Sequence, residues 1–138
     1  MGGVEAIPFG LLVFVVGALI AASAWAVIDA KMGTTAAARE TARFLVESDG
    51  DVAGATTVGV QAFHNQVGGA GALEGPHIAL PDGFRRCSRV TVTYRYRTPA
   101  VSIPLVGGFG SGITVSSSHS EVVDPFRAGL GEDRGGCL

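Results

Sequence analysis

The longest apolar pattern in the chain lies at its N-terminus. No charged residue occurs between Glu5 and Asp29, and at about 1.5 Å per residue this stretch can cross a hydrocarbon core of about 30 Å as one helix. One serine and two glycines are all that interrupt its apolar circumference, whereas a surface helix of a soluble domain has a polar face. The rest of the chain has too little apolar surface to enclose such a helix. We therefore predict a transmembrane and assembly helix over residues 1–28.

The pattern changes at Asp29 from apolar to mixed, without a helix-breaking signal until Ser48-Asp49-Gly50. Charged residues recur at near-neighbour helical spacing, as in the pair Arg43 and Glu47, and alanines favour the helix between them. Gly33 is the only position that weakens the helix prediction for this stretch. The sequence therefore predicts one helix of about 40 residues, with its first half in lipid and its second half, 29–47, in water.

The remaining chain predicts a second helix and a small antiparallel sheet. Apolar positions recur at helical spacing over 52–68, where a run of glycines follows. Strict alternation from Arg89 to Thr98 predicts a strand with one apolar face, and a partner strand begins at Ile113. A short piece, His77 to Leu80, is a candidate edge strand. We predict an α+β fold in which residues 29–138 form one domain: helix 29–47, helix 52–68, sheet 77–124 and tail 125–138.

The connection from Pro99 to Gly112 is long for a hairpin loop and is apolar. A loop of this length usually has a function, and exposed apolar residues tend to contact a partner or a membrane surface. The candidate contact residues are Val101, Ile103, Leu105, Val106 and Phe109.

The apolar helix also has residues suited to packing against another helix. Small residues at four-residue spacing, such as Gly17 and Ala21, let a second helix approach closely, although alanines can also simply fill a helix. Gly10 lies on the same apolar segment, and Pro8 falls in the first turns, where a missing N–H is tolerated. No ordinary secretory signal is visible, so the segment is expected to stay in the mature protein.

The two cysteines, Cys87 and Cys137, match neither a redox pair nor a zinc site in their spacing. The preferred interpretation is one disulfide joining the C-terminal tail to the first long strand, which requires a compartment outside the cytoplasm. Two unpaired thiols in a reducing compartment remain the alternative.

Composition argues against catalysis and nucleic-acid binding. The net charge is −2 with a pI near 5.8, and the arginines that cluster between positions 85 and 97 fall largely on a predicted solvated strand. The three histidines lack metal-ligand spacing, and no nucleophile-elbow motif surrounds the serines near His119. We expect no enzyme activity, no cofactor, no metal, no nucleic acid and no small-molecule substrate. A membrane-anchored hydrolase would need His119 within hydrogen-bond reach of a serine or carboxylate.

Three segments together resemble the TadE-like minor pilins or pseudopilins of tight-adherence, type IV-like pili. They are Val4-Glu5-Ala6-Ile7-Pro8, the run from Ala36 to Arg43, and the strand from Val90 to Thr93. The resemblance implies a structural component of a pilus or related secretion apparatus, with a role in cell adhesion, that the N-terminal helix holds in the membrane until assembly. It also implies partners: membrane lipid, other pilin or pseudopilin subunits and an inner-membrane assembly platform.

Within that resemblance, Glu5 would neutralise the N-terminal amine of a neighbouring subunit as helices stack. The assembly residues are then Glu5, Pro8, Gly10, Gly17 and Ala21. The family's basic leader, which a prepilin peptidase removes, is missing or reduced to residues 1–3.

Membrane topology and function each have a second interpretation. Lys31, Arg39 and Arg43 follow the helix, and by the positive-inside rule they favour a cytoplasmic domain, but the interspersed carboxylates leave this flank nearly neutral. The resemblance implies a single-pass protein of the cell membrane with an extracytoplasmic domain, and its incorporation into a surface pilus. The alternative is a single-pass membrane protein whose small β-module is a binding or adaptor domain.

Overall fold

A computed structural model describes residues 6–68, 71–99, 101–103, 107–110, 112–126 and 128–130, with the backbone alone at 101–103 and 107–109. Helix α1 runs without a break from Ala6 to Glu47, a length of about 63 Å at 1.5 Å per residue. It ends in a turn where Asp49 and Gly50 have φ of 59° and 87°, the left-handed conformation that commonly terminates helices. The prediction of one helix continuing through residue 47 is confirmed.

The other elements form a short helix and two small sheets: α2 Val52–His64, β1 Ala72–Ala79, β2 Arg89–Thr98, β3 Val101–Ile103, β4 Gly107–Phe109 and β5 Ile113–Val122. The main sheet has the order β1-β2-β5, and both of its strand pairs are antiparallel. Strands β3 and β4 form a separate two-stranded sheet. The predicted α+β fold is confirmed, as are the bounds of β2 and the first residue of β5.

Two predicted boundaries differ from the structure. Helix α2 ends at His64, four residues before the predicted end, because its last turn loosens and the Gln66 N–H bonds three residues back, to the carbonyl of Phe63. Strand β1 begins at Ala72 rather than at residue 77. Its proline, Pro76, lies where the register with β2 shifts, and an edge strand tolerates proline at such a site.

The predicted loop from 99 to 112 contains the β3–β4 hairpin, which the sequence did not predict. Its backbone pairs Val101 with Phe109 and Ile103 with Gly107, and β3 lies in contact with α1. The side chains of the proposed contact residues and all of 104–106 lie outside the described residues.

The hydrophobic core lies between the second half of α1, helix α2 and the main sheet. The face of α1 that points inward has small residues, so Ala37, Ala38 and Ala42 are fully buried together with Leu45. Along β2, burial alternates as predicted, and Val92 and Tyr94 are fully buried on the face toward the helices. Small helix residues therefore bring the two layers close together.

Glycines set the distance between the two helices. Gly33 is buried, and a Cβ there would meet Val67 and lie 3.1 Å from the ring of Phe63. Gly59 of α2 faces Thr41, whose hydroxyl is 3.0 Å from the Tyr94 hydroxyl in a buried hydrogen bond. Gly33, which weakened the helix prediction, therefore lies where α1 and the end of α2 approach each other closely.

Burial of the tyrosines predicts that the fold loses stability in alkali. Burial raises the pKa of Tyr94, an effect that its hydrogen bond with Thr41 partly opposes, and burial also raises the pKa of Tyr96. The unfolded chain then releases phenol protons first, from about pH 10, so stability is complete below that pH and falls as pH rises through the folded pKa values. Urea unfolding in detergent at rising pH measures this loss. Combining Tyr94→Phe with Thr41→Val is expected to flatten the dependence, and an unchanged dependence would contradict the assignment to Tyr94.

Candidate membrane and assembly surface

The first part of the apolar half of α1, from Ala6 to Ala18, projects from the fold without being covered by it. Every described residue from Ala6 to Ala18 is exposed, and large apolar side chains such as Phe14 are up to 73% exposed. The most apolar 18-residue window of the helix has none of its residues buried. Such a surface is costly in water because its apolar area would be hydrated.

Four of the five predicted assembly residues, Pro8, Gly10, Gly17 and Ala21, lie along this exposed half. Pro8 is the third described residue of α1, a position where its missing N–H costs no helix hydrogen bond. A Cβ added at Gly10 or Gly17 would meet no atom within 4 Å, and Ala21 is also exposed. Glu5 lies outside the described residues. Three of the small positions are therefore open to another helix.

These small residues face away from the folded domain. Gly17 and Ala26 are nine positions apart, as are Ala21 and Ala30. Nine positions are two and a half turns of a helix with about 3.6 residues per turn, which places the members of each pair on opposite faces. Ala26 is half-buried and Ala30 is fully buried against the domain. The side of α1 that carries Gly17 and Ala21 is thus the side that its own domain leaves open.

Polar contacts begin where the apolar segment ends. The Lys31 ammonium donates a hydrogen bond to the carbonyl of Ser116 at 2.5 Å, and the Thr34 hydroxyl lies 2.9 Å from that of Ser117. Trp25, six residues before Lys31, is 67% exposed. This exposure suits an indole at a membrane interface. The change from lipid-compatible to domain-bound surface is therefore gradual: one face of α1 is half-buried from Leu19 onward, and hydrogen bonds to β5 follow from Lys31.

Among the described residues, one helix, α1, is both long enough and apolar enough to cross a membrane. A core helix of a soluble protein passes the same test of length and composition, but it would be buried. The structure is therefore compatible with a single-pass membrane protein. Comparison with protein-family models, curated proteins and solved structures found no match.

A polar groove of about 370 Å³ lies between the second half of α1 and β5. It brings together His119 and Glu121 from the strand, 3.4 Å apart, with Arg39, Glu40 and Arg43 from the helix. A hydrogen bond to Glu47 and the negative charge of that residue raise the pKa of Arg43, so its guanidinium stays charged. The groove combines both signs of charge and can hold a polar segment of a partner.

The serines near His119 are not arranged around it as a nucleophile would be. Side chains alternate along a strand, so Ser117 shares the inward face with His119, but its hydroxyl is engaged with Thr34 and Thr35. Ser120 lies on the other face and bonds to Thr91. Within the part of the chain that the structure describes, no cluster of three His, Cys, Asp or Glu residues could hold a metal ion.

Cys87 lies in the turn before β2 and is disulfide-bonded. Its backbone N–H donates to the carbonyl of Val123 at 3.0 Å, which fixes the turn against the end of β5. Cys137, the other cysteine of the sequence, lies outside the described residues, so its pairing stays a prediction.

Sequence reasoning missed the polar contacts that join α1 to β5. From the sequence, Lys31 is only a basic residue that follows the span, and Thr34 and Thr35 have no assigned role. Their signal in the sequence is a threonine, Thr34, on a helix face whose other members are mostly small apolar residues such as Ala30 and Ala38. A hydroxyl at such a position needs a partner when the face is buried.

Proposed function

We propose that the chain is a membrane-anchored pilin-like subunit that assembles through its N-terminal helix, in the manner of the TadE-like minor pilins and pseudopilins it resembles. The observation that carries the proposal is the division of α1. Its second half is packed into the domain, and its first half extends beyond it with an open apolar surface. A helix that serves only the fold has no use for that extension.

The direction of the small residues supports assembly between helices. In lipid, helix association depends on close packing rather than on the hydrophobic effect, and small residues allow that approach. Gly10, Gly17 and Ala21 supply such a surface on the side of α1 that is turned away from the domain. A second subunit can therefore approach the helix without displacing the β-sheet of the first.

An extracytoplasmic domain is part of the proposal. The disulfide at Cys87 supports it, because disulfides persist in oxidising compartments. Only three basic residues, Lys31, Arg39 and Arg43, lie within the 20 positions that follow the span, so the positive charge that opposes export is small.

The second candidate function is a single-pass adaptor that never enters a filament. The polar groove beside His119 and Glu121 favours it, since a surface with both signs of charge suits a reversible protein contact. In that case the apolar half of α1 would be a simple anchor, and its small residues would have no role.

Replacing Glu5 by alanine separates the two functions. Under the assembly proposal Glu5 pairs with the N-terminal amine of a neighbouring subunit, and an unpaired carboxylate near lipid is costly. We expect Glu5→Ala to leave the protein in the membrane fraction but to reduce its recovery in filaments sheared from the cells by at least tenfold, about 1.4 kcal/mol per subunit contact.

Glu74→Ala is the matched control, because it removes an exposed carboxylate from the edge strand β1. It is expected to leave both fractions unchanged. Normal assembly of the Glu5→Ala protein would remove the pilin proposal and leave the adaptor.

A further inference from the structure

The outer face of the main sheet, which points away from the helices, is polar and ends in two arginines. Burial alternates along β2, and five of its side chains lie on this outer face. They are Arg89, Thr91, Thr93, Arg95 and Arg97. On β5, Ser116 and Thr114 stand opposite the last two. One end of the outer face therefore combines two positive charges with neighbouring hydroxyls.

That end of the sheet is the one nearer to the apolar half of α1, as two tyrosines of β2 show. The Tyr94 hydroxyl lies 3.0 Å from that of Thr41. Two residues later, the ring of Tyr96 lies against that of Phe63, which in turn packs beside Gly33. From one tyrosine to the next, the contacts thus move back along α1 from residue 41 to residue 33. Strand β2 therefore runs toward the apolar half.

The contacts of β5 give the same direction. Ser117 is bonded to Thr34, and Glu121, further along the strand, shares a groove with Arg43. Strand β5 therefore runs with α1, and its first residues lie toward the apolar half. The Lys31 ammonium reaches the same end of β5, where it bonds to a backbone carbonyl. We call this end of the sheet, where β2 finishes and β5 begins, the membrane-side end.

The position of the membrane-side end along α1 corresponds to the level of lipid head groups. Gly33 follows Ile28, which ends the uncharged segment, by five positions, or about 7.5 Å along the helix axis. A bilayer is about 40–45 Å thick with its head groups and about 30 Å without them, so each head-group layer is several ångströms thick. An arginine at the end of β2 can therefore reach this layer with its long side chain.

Both guanidinium groups at this end are available to a ligand. Arg95 and Arg97 are exposed, and among the described residues neither has an ion pair or a side-chain hydrogen bond within the protein. Glu74 of β1 stands opposite Arg95 in the register, but no ion pair joins them. Opposite Arg97 stands the uncharged Ala72. An anionic partner would therefore supply the charge that the fold itself does not.

We propose that the membrane-side end of the outer sheet face, through Arg95 and Arg97, binds the phosphate groups of anionic phospholipids in the leaflet next to the domain. A guanidinium pairs with phosphate oxygens through two parallel hydrogen bonds, and basic residues at a membrane surface attract anionic lipid. The inference rests on the proposed membrane span of α1 and goes beyond it: the domain does not stand free on one helix but contacts the lipid surface with its sheet.

The lipid selectivity of the full-length protein tests this inference. The protein is reconstituted into phosphatidylcholine vesicles that contain a trace of spin-labelled phosphatidylglycerol or phosphatidylcholine, labelled in the acyl chain close to the head group. Electron spin resonance measures the fraction of each lipid that the protein immobilises. The test variant combines Arg95→Gln with Arg97→Gln. Glutamine keeps the Cγ of Arg97, which lies beside Gly112, so packing at the end of the strand is retained.

The matched control combines Arg85→Gln with Arg89→Gln, which removes the same two charges from exposed positions. Arg89 and Arg97 are eight positions apart on β2, or about 27 Å at about 3.4 Å per residue. The control therefore changes the net charge equally but at the end of the strand that lies far from the membrane. Circular dichroism checks that both variants are folded.

We expect the natural chain to prefer phosphatidylglycerol over phosphatidylcholine by roughly threefold or more at low salt. The preference is expected to fall at high salt, because ions screen charges at an exposed surface. The variant at positions 95 and 97 is expected to lose most of the preference, and the control to keep it.

The other outcomes separate this inference from the proposed function. Equal loss of the preference in the two variants would overturn the inference, because net charge rather than this site would then decide. A natural chain that immobilises both lipids equally would also overturn it and leave the membrane span in place. Absence of any immobilised lipid would overturn the span and with it the proposed function.

Discussion

Arginine at both Val13 and Val16 is expected to remove the protein from the membrane fraction while leaving its domain folded. Both side chains are about half exposed on the apolar half of α1, at 53% and 47%, so no packing inside the fold is lost. An arginine near the centre of a spanning helix costs about 2.5–3.5 kcal/mol on insertion scales, and two cost about twice that. Alkaline extraction of membranes followed by quantification of the pellet measures the loss.

The matched control places the same two charges on the domain. Val52 and Val122 are each 49% exposed, and arginine at both is expected to leave membrane retention unchanged. Arginine at Val122 stands opposite Arg89 of β2, so like charges are expected to lower the stability by roughly 0.2–1 kcal/mol, which does not affect retention in the membrane. If the Val13 and Val16 variant stays in the pellet as fully as the control, α1 does not hold the protein in the membrane by spanning it.

Valine in place of Gly59 is expected to unfold the domain or to destabilise it severely. A Cβ at this position would meet the Thr41 hydroxyl and lie 2.6 Å from that of Tyr94, and Thr41 and Tyr94 are fully buried. Overpacking of this kind costs about 1–3 kcal/mol or more, and separating the two hydroxyls leaves buried polar groups unpaired at about 1–3 kcal/mol each. Helix propensity does not offset this, since valine and glycine differ by a few tenths of a kcal/mol.

Urea unfolding in detergent measures the effect, with the loss of hydrogen-exchange protection at the backbone amide of Tyr94 as the signal. Gly68→Val is the control, because a Cβ at Gly68 meets no atom within 4 Å, and we expect its unfolding midpoint to stay near that of the natural chain. Equal stability of the Gly59 and Gly68 variants would show that α2 does not pack on α1 at this distance. Since Gly59 lies far from the apolar half, membrane retention of the variant is expected to be unaffected.

Much of the fold could be predicted because its signals are local. Strand β2 has the predicted bounds, Arg89–Thr98, since strict alternation over ten residues specifies both the strand and its buried face. Helix α1 ends where Asp49 and Gly50 follow it. Strand β1 could be predicted only in part, because Gly75 and Pro76 are loop signals in a sequence, and they fit a strand here only because it is an edge with a shift in register.

The candidate surface was predictable as a set of residues but not as a direction. The spacing of Gly17 and Ala21 predicts a ridge of small residues, yet nothing local says on which side of α1 the domain packs. Burial of Ala30 and half-burial of Ala26 on the opposite face decide it. Likewise, the alternation of β5 was evident, but its direction relative to α1 depends on long-range contacts such as that of Ser117 with Thr34.

The sequence by itself determined that the chain has a long apolar helix that continues into water, and that a strand with one buried face follows, because both depend on the period of apolar residues along the chain. Only the tertiary structure decided which side of that helix stays open and which end of the sheet faces the apolar half. These depend on contacts between residues far apart in the sequence, such as Thr34 with Ser117 and Thr41 with Tyr94, for which a periodic pattern contains no information.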